Sequence, residues 1–149
     1  MINSYLNSIA RLPPSTSFVV GISYKTAPVE LREQLALSPD RKNGFYTRAR
    51  TETALDEAVL LSTCNRVELY RVTAQHEDPT EIFCYLLDHS RNCRAHLYRW
   101  ESMMAARHLF CVASGLDSMV LVETEITVLV KTAYETARLR TSLAACNAL

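Results

Sequence analysis

The run Ala58-Val59-Leu60-Leu61-Ser62 constrains this chain most. Short, apolar and partly β-branched, it reads as a strand buried on both faces. Four residues later Val67-Glu68-Leu69-Tyr70-Arg71-Val72 alternates apolar with polar, the pattern of a half-exposed strand. Only the polar link Thr63-Cys64-Asn65-Arg66 separates the two, so it must turn tightly. Phe18 to Ser23 is a further buried strand after a loose leader, 1–16, that ends in Leu12-Pro13-Pro14-Ser15.

Helical periodicity fills the gaps between strands. Leu31 and Leu35 recur with charges between them, giving a short helix from Val29 that stops near Ser38-Pro39. Ser38-Pro39-Asp40 starts a second helix to about Arg50, and Asp78-Pro79 a third to about Arg91 with Ile82, Phe83, Leu86 and Leu87 inward. A short strand is expected at His96 to Trp100. Beyond it the pattern is helical: Met104 to Ser114, a break at Gly115, Val120 to Arg140, and a last segment from Thr141. Strands and helices in mixed order, followed by a helical tail, indicate the α+β class.

With 149 residues and 48% hydrophobic residues the chain suffices for one core. Sixteen basic residues balance sixteen acidic ones, so the net field gives no general attraction to nucleic acid or membranes, and no DNA partner is expected. No long apolar run or leader-like start is present, so a cytoplasmic setting is expected. The five cysteines, Cys64, Cys84, Cys93, Cys111 and Cys146, include no Cys-x-x-Cys pair, which argues for free thiols and against a metal site. Cys84 and Cys111 sit among apolar helix residues and read as core, while Cys93 and Cys146 have no suggestive context.

Cys64 falls where a buried strand gives way to a turn, which holds a side chain firmly while exposing it. Arg66, two residues on, would favour the thiolate, the form that attacks carbonyl carbon. By residue type alone a strand-end cysteine is more often a small buried hydrophobe. His108 precedes Leu109-Phe110 on a helix expected to pack on the sheet; it points toward the Cys64 turn as a proton carrier, or is a hydrogen-bonded core histidine.

Three longer signatures occur in order: Gly21 to Val29 with Leu31-Arg32-Glu33, Leu61 to Tyr70, and His108-Leu109-Phe110 running on to Leu121. Together they resemble glutamyl-tRNA reductase, N-terminal catalytic domain, over nearly the whole chain from Phe18. The resemblance implies βαβ units forming a small, mostly antiparallel sheet with helices on one face, followed by a helical C-terminal segment. It implies a catalytic domain over 17–120 and, over 121–149, the start of a linker toward an NADPH-binding domain.

In such a reductase the cysteine corresponding to Cys64 attacks glutamyl-tRNA(Glu), forming a thioester that NADPH reduces to glutamate-1-semialdehyde for porphyrin and heme synthesis. By resemblance His108 supports that nucleophile, and Thr63, Asn65, Arg66, Ser118, Glu123, Thr124 and Glu125 bind substrate, Arg66 through a carboxylate. Homodimerisation is expected only with a further C-terminal domain.

Where the family keeps two glycines and an amide, this chain has Val122, Val128 and Leu129, and Glu125 sets a carboxylate beside an anionic ligand. Its three glycines cannot form a Gly-x-Gly-x-x-Gly loop, so no cofactor binding is expected in this chain, which is limited to thioester formation and hydrolysis. The alternative is a non-catalytic tRNA- or glutamate-binding module.

Overall fold

The structure, a computed structural model, describes residues 16–52, 57–73, 78–87, 93–119 and 124–146, the side chains of Glu52, Thr124 and 141–146 excepted. In chain order these form β1 (Thr16–Ser23), α1 (Val29–Leu35), α2 (Pro39–Glu52), β2 (Ala58–Ser62), β3 (Arg66–Thr73), α3 (Pro79–Leu86), a 3-10 turn (Arg94–His96), β4 (Tyr98–Glu101), α4 (Ser102–Ala113) and α5 (Thr124–Cys146).

The four strands pair in the order β2-β3-β1-β4, every pair antiparallel. β2 runs parallel to β1 with β3 between them, and β4 runs parallel to β3 with β1 between them. The sheet is therefore two interlocked split βαβ units, the ferredoxin-like arrangement, so the expected α+β class and antiparallel sheet hold. Side-chain alternation assigns the two faces. Val20, Ile22, Leu60 and Leu69 meet Phe45 of α2 and Phe83 of α3 in the main core, so the crossover helices share one face as expected. The helical tail covers the other face, where Leu61, Val112 of α4 and Ile126 of α5 form a second cluster.

That second layer corrects the reading of β3 as half-exposed. Arg66 to Leu69 are all buried, because β3 is a central strand whose polar side lies beneath the tail helices instead of water. Gly21 makes room for this polar layer. It sits opposite Glu68 on β3 and Tyr98 on β4, and a Cβ there would come 2.4 Å from the Val67 carbonyl oxygen and 2.9 Å from Glu68 Cγ.

Element ends differ modestly from expectation. Asp78 caps α3 by accepting from the Thr80 amide at 2.9 Å, but α3 stops at Leu86, short of Arg91. β4 is shifted by about two residues because Arg94–His96 forms a 3-10 turn first, and α5 runs through Thr141 unbroken. Thr16, grouped with the leader, begins β1; the rest of 1–16 and the expected boundary at 120 to 121 lie outside the described residues.

Candidate active site

Thr63, Cys64 and Asn65 join β2 to β3, and the Thr63 amide donates to the Arg66 carbonyl at 2.9 Å across the turn. The tightest hairpin connections match strand twist best in turns that need positive φ. Among the described residues only Ser102 and Gly115 have it, so this turn is held by side chains instead. Thr63 Oγ1 accepts from the Asn65 and Arg66 amides, each at 3.2 Å. The Tyr24 amide donates to the Asn65 carbonyl at 2.8 Å. From α1, one Arg32 guanidinium nitrogen donates to the Cys64 carbonyl at 2.7 Å and to Asn65 Oδ1 at 3.3 Å. The result is an exposed thiol on a firmly pinned backbone.

Six expected site residues, Thr63, Cys64, Asn65, Arg66, Ser118 and Glu125, line one small cavity of about 60 Å³ together with Ile126 and Leu129. Ser118 arrives on the loop after α4, its carbonyl accepting from the Tyr24 hydroxyl at 3.4 Å. Glu125 and Leu129 come from the first turns of α5. Val128, where the family keeps a glycine, is 63% exposed, so its branched side chain meets solvent and crowds nothing at the site. Glu123 and Val122 lie outside the described residues, as does the Thr124 side chain.

Beneath the cavity runs a buried charge network that the sequence did not reveal. Glu68, fully buried, accepts from Arg66 at 2.8 Å, from the Tyr70 hydroxyl at 2.6 Å, from Tyr98, and pairs with His108 Nε2 at 2.8 Å. Arg66 also pairs with Asp117 at 3.0 Å, and Lys25 donates to the same carboxylate. Burial alone would raise the Glu68 carboxyl; the His108 hydrogen bond, the Arg66 charge and Tyr70 outweigh it and hold the group below the ordinary carboxylate range. Asp117 is likewise held low, burial being overcome by hydrogen bonds from Lys25 and Arg66. The Tyr70 and Tyr98 hydroxyls are driven upward, first by burial and then by the Glu68 charge, so both remain donors.

This geometry alters two expectations. Arg66 is 2% exposed and both its terminal nitrogens are engaged by carboxylates of the chain, so it is not a lone cation waiting for a ligand. The guanidinium that touches the Cys64 turn is Arg32, which residue-by-residue reasoning missed. His108 does not line the cavity; its link to the turn runs through Glu68 and Arg66. No local pattern singled out either Arg32 or Glu68: Glu68 reads as an outward position of an alternating strand and Arg32 as one of the charges between Leu31 and Leu35.

Among the described residues no glycine-rich phosphate cradle of the kind that holds NADPH occurs. Gly21 lies in a strand, Gly44 within α2 and Gly115 after α4, and the antiparallel sheet offers no parallel strand-turn-helix phosphate cradle. Among the described residues no three His, Cys, Asp or Glu cluster to hold a metal, and no helix is long and apolar enough to cross a membrane.

Comparison with known proteins gives a consistent result. The chain matches the family model of the glutamyl-tRNAGlu reductase N-terminal domain over residues 20–146. It is 42% identical over 124 residues to the glutamyl-tRNA reductase of Halorhodospira halophila, covering 80% of this chain and 27% of that protein. For Xanthomonas campestris pv. campestris the identity is 44% over 123 residues, covering 83% of this chain and 28% of the relative. The solved glutamyl-tRNA reductase from Methanopyrus kandleri superposes with a TM-score of 0.66 at 35% identity, covering 87% of this chain and 29% of that one. The chain thus spans under a third of the length of the relatives it matches.

Proposed function

This chain belongs to the glutamyl-tRNA reductase family, and on that premise we propose that it carries out the acyl-capture half of the reaction. The Cys64 sulfur attacks the ester carbonyl of glutamyl-tRNA; a carbon–sulfur bond forms, the ester carbon–oxygen bond breaks, and the tRNA hydroxyl leaves with a proton. The observation that carries this reading is the exposed thiol at the rim of a cavity it shares with Thr63, Asn65, Arg66, Ser118 and Glu125. Thr63 and Arg32 hold the turn, so little ordering remains when substrate binds. Asn65 and Ser118 offer polar groups to the glutamyl moiety. Arg66 acts here chiefly as the positive centre of the layer under the cavity floor.

No hydride step is assigned to these residues. The soluble, NADPH-dependent synthesis of glutamate-1-semialdehyde in the porphyrin pathway is a proposal for the whole reductase, as is its homodimer. For the chain as it stands the acyl group ends as thioester or as hydrolysed glutamate.

The test is incubation with tRNA carrying radiolabelled glutamate, followed by acid quench. Label should attach to the protein, be released by hydroxylamine, and vanish in Cys64→Ser. Retained binding of glutamyl-tRNA with no covalent label would instead establish a binding module. Semialdehyde formed on adding NADPH would refute the limit to acyl capture.

A further inference from the structure

Cys84 and Cys93 are free thiols as expected, and their sulfurs lie 3.4 Å apart. Both are buried, at 6% and 1% exposure, in the main core on the opposite side of the sheet from Glu68 and His108. Cys84 is near the end of α3, and Cys93 opens the 3-10 turn that leads into β4. That turn is tied to the loop before α1, since His96 Nδ1 lies 2.7 Å from the Thr26 carbonyl. A disulfide needs sulfurs about 2.05 Å apart, so the two sulfurs, already in contact, must approach further for the bond to form.

We propose that Cys84 and Cys93 form an oxidisable dithiol, converted by a hydroperoxide into an intramolecular disulfide that staples α3 to the turn before β4. One sulfur, as thiolate, attacks the peroxide oxygen; the oxygen–oxygen bond breaks and a sulfenic acid forms as water leaves. The second sulfur then displaces that hydroxyl, forming the sulfur–sulfur bond and a second water. Two thiols lose two electrons and one hydrogen peroxide becomes two waters. The site is independent of the acyl-capture reading, because neither cysteine lines the Cys64 cavity.

Rate distinguishes this pair from the exposed nucleophile. Burial first, and then the neighbouring Cys93 thiol, push the Cys84 thiol up to about 12, so its thiolate is scarce at neutral pH. The pair oxidises slowly, later than exposed Cys64, and responds to sustained exposure. Once formed, the bond constrains the unfolded chain across a nine-residue separation, which raises Tm by roughly 5 °C or more.

The experiment treats the full chain with hydrogen peroxide at pH 7 and pH 8.5, blocks residual thiols with iodoacetamide, and digests with trypsin without reductant. Cleavage after Arg91 separates the two cysteines, so the disulfide appears as a joined peptide pair that reductant splits. The expected result is a Cys84–Cys93 link that accumulates faster at the higher pH and is absent in Cys93→Ala, with a reductant-reversible rise in Tm. The proposal is overturned if both thiols remain alkylatable after unfolding, if they oxidise only to separate sulfinic acids, or if either is found joined to Cys64 or Cys111. Because the mapping is made on the unmutated chain, a variant that fails to fold does not decide the matter.

Discussion

Glu68→Gln isolates the charge at the centre of the buried network. Arg66, Tyr98 and His108 all meet Oε1, which the amide retains as oxygen, while Tyr70 meets Oε2 and its hydroxyl can rotate to accept from the new NH₂. The hydrogen bonds are therefore nearly conserved and the charge is what disappears. Arg66, 2% exposed, is left with Asp117 at 3.0 Å as its one paired carboxylate among the described residues. Removing one partner of a buried pair costs about 3–5 kcal/mol, and the remaining Asp117 sets the expectation at the lower end, about 3 kcal/mol. Urea denaturation at pH 7 reads this directly. The pH dependence supplies a second check. Glu68 is held below its ordinary value when folded, so its contribution is complete above the unfolded carboxylate range and is lost as pH falls through the folded value. The difference between native chain and variant must shrink on acidification. A loss under about 1 kcal/mol at pH 7, or one that grows as pH falls, would refute the argument that this charge pays its desolvation through Arg66 and His108.

Two further substitutions probe the frame. Gly21→Ala introduces a Cβ against the backbone of β3, which cannot yield as a flexible side chain would; a loss of about 3 kcal/mol or more in chemical denaturation is expected, and a neutral result would contradict the close strand approach. Arg32→Met removes both bonds to the Cys64 turn, with an expected loss of about 1–2 kcal/mol and a change of severalfold in the alkylation rate of Cys64 but not of Cys111; equal effects on the two thiols would mean Arg32 does not act on the turn.

The strands were legible where one physical signal governed them. Ala58 to Ser62 is entirely apolar up to its last residue because both faces are covered, and its bounds agree between sequence and structure. The polar positions of β3 misled for a definable reason. Glu68 and Arg71 look solvent-facing in a strand of alternating character, and only the later arrival of α4 and α5 over one face, with the main core under the other, buries them. Cys64 stood out because it marks a strand end, whereas Arg32 was hidden in helical periodicity that carries no information about a contact 32 residues away. Cys84 and Cys93 share no motif spacing, so the 3.4 Å approach of their sulfurs had no signal in the sequence. On residue pattern alone His108 read more readily as a hydrogen-bonded core histidine than as a proton carrier, and its bond to Glu68 follows from strand register and helix placement together.

The interlocked strand order has a consequence for how such a chain comes into being. β1 is first off the ribosome, yet its two neighbours in the sheet are β3 and β4, whose residues extend to Glu101. The strand destined for the middle has two open hydrogen-bonding edges until β3 is made, roughly fifty residues on, and one open edge until β4 is made, roughly eighty residues on. Assembly must therefore add an early segment to the open edge of the later β2–β3 hairpin and then pair its other edge with β4, non-local steps that slow folding relative to helical domains of similar size.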